Sequence, residues 1–203
     1  MNPASALIMV SVLLFSVILH EVAHGLVALW FGDDTAKEAG RLNLNPLVHI
    51  DMIGSVILPL LCYLSGAPMF GWAKPVPVNL NRLHPERLGT LCVTLAGIAM
   101  NFMLAIIAGL VVRVLLKSTG GSAAVLQVAV FFVQINLMLA VFNLLPVPPL
   151  DGWRLWGVWL SEEIRMRIEA NFMLNMFLLI LVMRFIPIGW IVRLLFGLIV
   201  GIR

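Results

Sequence analysis

The stretch ASALIMVSVLLFSVILHEVAHGLVALWF, residues 4–31, decides how this chain is read. It is apolar for well over the roughly 20 residues that a helix needs to cross a hydrocarbon core. Yet it carries His20, Glu21 and His24 near its far end. No Lys or Arg precedes it, and no A-x-A site follows, so it reads as a retained transmembrane helix rather than a secretory leader. Buried ionisable groups in such a helix cost several kcal/mol unless they are paired or bind a metal, so a function is the default reading.

Composition agrees with a membrane setting. Of 203 residues, 62% are hydrophobic and only 11% charged, whereas soluble domains run nearer a quarter charged. The length suits one small helical bundle with no room for an appended soluble domain of ordinary size. A net charge of +3, scattered along the chain, does not suggest nucleic acid. Cys62 and Cys92 lie in apolar runs without CxxC spacing, so they set no disulfide framework.

Two further runs are long enough to span: 88–116, and 122–145, which ends at Pro146, Pro148 and Pro149. Shorter runs at 172–186 and 188–202 flank Pro187 and read as a helical hairpin. The run 52–66 has Pro59 and leads into a proline-alternating stretch ending Ala73-Lys74-Pro75-Val76-Pro77-Val78-Asn79, which forces extended backbone. The expected architecture is a single all-α polytopic membrane domain over 1–203, with its core at 4–153. It has about five transmembrane segments, a re-entrant segment and a short extended loop.

His20-Glu21-Val22-Ala23-His24 is an HExxH sequence. Residues four apart share a helix face, so both imidazoles reach one ion, while Glu21 sits beside that face, placed to take a proton from a metal-activated water. A chance match is expected only roughly 0.002 times in a chain of this make-up. A catalytic zinc site takes three protein ligands. Val27 and Trp30 stand where the metzincin continuation would need Gly and a third His. Most other acids and histidines (Asp33, Asp34, His49, Asp51, His84, Glu86, Glu162, Glu163, Glu169) fall in polar stretches and read as solvated groups. Asp151 differs, because it follows the proline break at the exit of a full span, where unwound backbone can aim a carboxylate inward.

HEVAH in a first hydrophobic helix, with Asn143-Leu144-Leu145-Pro146-Val147-Pro148-Pro149-Leu150-Asp151-Gly152 after a later one, resembles the site-2 protease family of intramembrane metalloproteases. The stretch GWAKPVPVN, residues 71–79, is similar to the loop of its compact prokaryotic members. The resemblance implies one zinc held by His20, His24 and Asp151, with Glu21 as general base and Asn143 near a substrate carbonyl. It implies peptide-bond hydrolysis in single-span membrane proteins, often already trimmed by another protease. One departure stands out: Gly97 is followed by Ile98 where the family often has Pro, with Asn101 beyond. Asn101 therefore reads equally as a helix-packing amide.

Chemistry then sets topology. Ligands that share one depth need an even number of crossings between 31 and 151, which 88–116 and 122–145 supply, so 52–66 is expected to be re-entrant. Nine cations (Lys37, Arg41, Lys74, Arg82, Arg87, Arg154, Arg165, Arg167, Arg203) fall on the ligand side and four on the other. That places the site toward the cytoplasm of a prokaryotic cell membrane. Counting from Leu7, the zinc is expected roughly 10 Å below that surface. Trp72, Trp153 and Trp156 read as interface anchors. Residues 72–79 either add a strand edge to an extended substrate or seal the cavity. Other classes are weaker. A metal transporter has no use for Glu21, and an inactive homologue would have lost it. A prenyl-processing type of protease would draw its third ligand from Glu162 or Glu163.

Overall fold

The computed structural model describes residues 3–57, 60–61, 64, 73–118 and 122–201. Three helices carry the bundle: α1 (Pro3–Trp30), α4 (Glu86–Lys117) and α5 (Ala123–Asn143). Between α1 and α4 lie the short α2 (Thr35–Glu38) and α3 (Pro46–His49), a π-helical turn (Met52–Ile57) and a 3-10 turn (Leu80–Arg82). After α5 come α6 (Asp151–Gly157), α7 (Glu162–Glu169), α8 (Phe172–Phe185) and α9 (Ile188–Val200). No strand occurs among the described residues, and the stretch at 73–79 is extended without sheet pairing. This is the helical architecture of a polytopic membrane protein.

α1, α4 and α5 are each long and apolar enough to cross a membrane. α7 and α8 pass that test only as a pair, bent by 80° at their junction. The expectation of about five spans thus meets three qualifying helices, or four if the bent pair counts. At 14 and 13 residues, α8 and α9 extend only about 20 Å each, short of a hydrocarbon core of about 30 Å. The expected re-entrant run lies largely outside the described residues beyond Ile57.

α4 is the central helix and packs against both α1 and α5. Two apolar clusters fix this arrangement. Val112 on α4, Val133 and Leu137 on α5, Leu179 on α8 and Val192 on α9 share one. Ala28, Leu83 and Val93 form the other, which seats the loop before α4 on the end of α1. Outward faces stay apolar, with Ile106, Leu110 and Val114 of α4 exposed as lipid-facing side chains are. Where α9 crosses α4, a side chain at Gly109 would run into Ile199, so glycine permits the close approach.

Candidate metal centre

His20 and His24 lie one turn apart on α1, and both are buried. Asp151 reaches them from the other end of the fold. α5 stops at Asn143, and the chain then doubles back, with Val147 N–H donating to Leu145 O at 2.9 Å and Leu150 N–H to Val147 O at 3.0 Å. The prolines here have no N–H to satisfy, which makes so tight a turn affordable inside the fold. Gly152 rests against the carbonyls of Leu144 and Leu145, where a Cβ could not fit. The turn therefore delivers Asp151, the first residue of α6, toward α1.

The three donor atoms converge. His20 Nε2 and His24 Nε2 are 3.0 Å apart, and Asp151 Oδ2 lies 3.1 Å from each. Tetrahedral zinc with bonds near 2.1 Å sets ligand atoms about 3.4 Å apart, so this triangle needs to open by only a few tenths of an ångström. Among the described residues it is the only such cluster of potential ligands. The donor set of two imidazoles and one carboxylate, with a fourth direction left over, fits a catalytic zinc ion.

Neighbouring groups brace the rings. His24 Nδ1 lies 2.6 Å from the carbonyl of Val93 on α4, an acceptor that requires a proton on Nδ1 and leaves Nε2 bare for an ion. Asn101, fully buried on α4, places its amide 3.2 Å from His20 Nδ1. Gly97, one turn earlier, lies under both rings: a Cβ there would collide with His24 Nε2 and lie 2.6 Å from His20 Cε1.

Glu21 is half-buried beside the triangle, and its Oε2 accepts a 2.8 Å hydrogen bond from Val76 N–H of the extended segment. The segment is held at several points. Lys74 N–H donates to His49 O at 2.9 Å, and Arg41 Nη2 donates to Lys74 O at 2.7 Å and Pro75 O at 3.2 Å. Asn79 N–H donates to Asp33 Oδ2 at 2.7 Å, and the hydroxyl and N–H of Thr35 both donate to Asp33 Oδ1. Asp33 and His49, read from sequence as solvated, are fully buried. The causes are local: Asp33 ties the end of α1 to this segment through Asn79 N–H, while the His49 ring lies 2.9 Å from Asn43 O and the His49 carbonyl accepts from Lys74 N–H.

Asn143 lies apart from the triangle in its bonding, with Nδ2 donating to Leu139 O at 3.0 Å. Glu163 is exposed and paired with Arg167 at 3.3 Å, while Glu169 accepts from Trp153 Nε1. Glu162 is exposed as well, and none of the three joins the His pair, which removes the geometry that a prenyl-processing type of site would need.

The pattern of peptidase family M50, the site-2 protease family, matches residues 114–185, a stretch that holds Asn143 and Asp151 but not His20 or His24. The protein titled "Putative zinc metalloprotease YwhC" from Bacillus subtilis (strain 168) is 42% identical over 153 residues, covering 72% of this chain and 66% of that one. This chain belongs to peptidase family M50. The M50 chain is also 32% identical over 142 residues to "Putative zinc metalloprotease Rip2" of Mycolicibacterium smegmatis, covering 69% of this chain and 52% of that one. For the Mycobacterium tuberculosis (strain H37Rv) protein of the same title, identity is 34% over the same length and coverage. Matches thus span about half to just under two thirds of these relatives' own lengths. No solved structure matches.

Proposed function

We propose that this M50 chain is an intramembrane zinc metalloprotease, hydrolysing peptide bonds in or near the transmembrane segments of single-span membrane proteins. His20, His24 and Asp151 would hold the ion. The observation that carries the reading is the convergence of two buried imidazoles and a partly buried carboxylate, His24 and Asp151 being 127 positions apart, in an apolar fold where such groups are costly without a partner. Bound zinc would lower the pKa of a water and polarise the scissile carbonyl.

The chain's own groups supply the rest. Glu21 is the proton acceptor: Val76 N–H ties down Oε2, which leaves Oε1 to take a proton and pass it to the leaving amine. Asn143 Nδ2 has two hydrogens, and with one given to Leu139 the second is available to a substrate carbonyl. The backbone donors of Lys74, Val76 and Asn79 are already engaged, and Pro75 and Pro77 have none. In this conformation Val76 is tied to Glu21, and a substrate strand that pairs with Val76 N–H must first displace it. The excess of cations on the ligand side supports a site toward the cytoplasmic face.

The test measures zinc content and cleavage of a single-span reporter by the detergent-solubilised chain. Glu21→Gln should keep about one zinc per chain while cleavage falls by orders of magnitude. Asp151→Ala should lower both, and Glu163→Ala neither. Loss of zinc from Glu21→Gln, or full zinc in Asp151→Ala, would overturn the assignment.

A further inference from the structure

Asn101 is the one buried amide on α4, and its single recorded hydrogen bond leaves its own helix for the ring of His20. Other asparagines of the bundle behave differently. Asn136 donates to Phe132 O at 2.9 Å and to Ser16 Oγ at 2.9 Å, and Asn143 donates to Leu139 O. Those amides are spent at least in part on carbonyls one turn back, as packing amides are. Asn101 instead stands over the nitrogen of His20 that does not face the triangle, with Gly97 one turn away giving the rings room.

We propose that Asn101 is a positioning residue of the zinc site, its carboxamide oxygen accepting the Nδ1–H of His20 and so fixing which imidazole nitrogen is bare toward the ion. This rests on His20 Nε2 being a ligand. A neutral imidazole has one proton, so a ring that ligates through Nε2 must carry it on Nδ1 and needs an acceptor there. For His24 the acceptor is Val93 O, which cannot be anything else. For His20 the group in reach is Asn101, whose two ends have the same shape. The ring's proton decides which end faces it.

As the amide stands, Nδ2 faces His20 Nδ1, and Oδ1 is buried without a partner. That orientation suits a ring whose proton sits on Nε2, directed at Asp151 Oδ2, 3.1 Å away. Such a ring cannot ligate. Moving the proton from Nε2 to Nδ1 and turning the carboxamide by half a rotation puts the unpartnered oxygen on Nδ1–H. Asn101 is suited to both states because its carboxamide offers a donor and an acceptor at one position. A Leu of similar size offers neither, and an Asp offers only the acceptor that the ligating state requires.

The experiment measures zinc affinity of the full chain in detergent by chelator competition, with helicity and thermal melting followed alongside. Asn101→Leu is expected to weaken zinc binding by about 10- to 100-fold, and Asn101→Asp to stay within a few-fold of the wild type. Wild-type affinity in Asn101→Leu, or an Asp variant as weak as the Leu variant, overturns the proposal. Should the Leu variant not fold, the wild type decides. With 15N-labelled histidine and zinc bound, His20 Nδ1 should show a slowly exchanging proton, and rapid exchange there overturns the proposal. The ligand reading itself fails separately, through a wild type that binds no zinc or a His20→Ala variant that still does.

Discussion

Gly97 shows how one missing methyl can decide a site. The His20 and His24 rings lie directly on it, and a Cβ would sit 2.7 Å from His20 Nδ1 and closer still to His24 Nε2. Rigid helix backbone lies behind it, so the rings must give way. Overpacking of this kind costs about 1–3 kcal/mol, which for a metal site means a loss of about 10- to 100-fold in affinity. Gly97→Ala should therefore keep its helical content by circular dichroism while zinc affinity falls by that factor; unchanged affinity would show that the rings have slack. At this scale the sequence was partly legible. HExxH is a local pattern, and the proline break marked Asp151. Val93 O and Val76 N–H were not legible, because backbone groups leave no signature in residue type. Asn101 was visible as an amide in an apolar run, but only its distance to His20 separates bracing from packing.

The joint between α1 and the segment at 73–79 turns on Asp33. It accepts from Asn79 N–H, Thr35 N–H and the Thr35 hydroxyl while fully buried. Asp33→Ala leaves those donors unpaired at a cost of about 1–3 kcal/mol. Amide exchange at Val76 and Asn79 should then speed up at neutral pH, and unchanged exchange would refute the anchor. Burial raises the Asp33 carboxyl, but the Thr35 hydroxyl, the two N–H donors and Arg82 together bring it below its ordinary value. A lowered pKa gives stability that is complete above the unfolded value near 4 and lost only as pH falls through the lowered one. Protection of these amides, taken relative to their intrinsic exchange at each pH, should thus stay flat from pH 7 to about 4 in the wild type. Among elements, α1, α4 and α5 were legible from length alone. The end of α5 was not, since Leu144 and Leu145 are as apolar as the helix but belong to the turn.

For the whole molecule, two helices long enough to cross a membrane, α4 and α5, lie between the His pair and Asp151. An even number of crossings is what the sequence leads one to expect, because ligands of one ion must share a depth. What sequence could not give is the standing of α8 and α9, whose apolar runs suit either short spans or helices packed on the bundle. Single cysteines at Asn81, Ser118 and Ser161, all exposed, test the parity in a background lacking Cys62 and Cys92. Thr35 is unsuitable, since its hydroxyl helps hold Asp33. An impermeant thiol reagent added outside intact cells should reach Ser118→Cys and miss the other two. Strong outside labelling at Asn81→Cys would mean that the segment before it crosses the membrane, and the shared site would fall.

The separation of 127 positions from His24 to Asp151 also sets an order of events during synthesis. A ribosome adding about 5–20 residues per second needs on the order of ten seconds to travel that distance. For much of that interval α1 carries two imidazoles and a carboxylate on its apolar surface, and their third partner does not yet exist. α4, carrying Val93, Gly97 and Asn101, is made well before Asp151, so the rings gain their braces first and their carboxylate last. The centre thus closes only after both long helices are made and before α8 and α9 join the core, and a nascent chain arrested before Leu150 has the HExxH helix in place without the means to complete it.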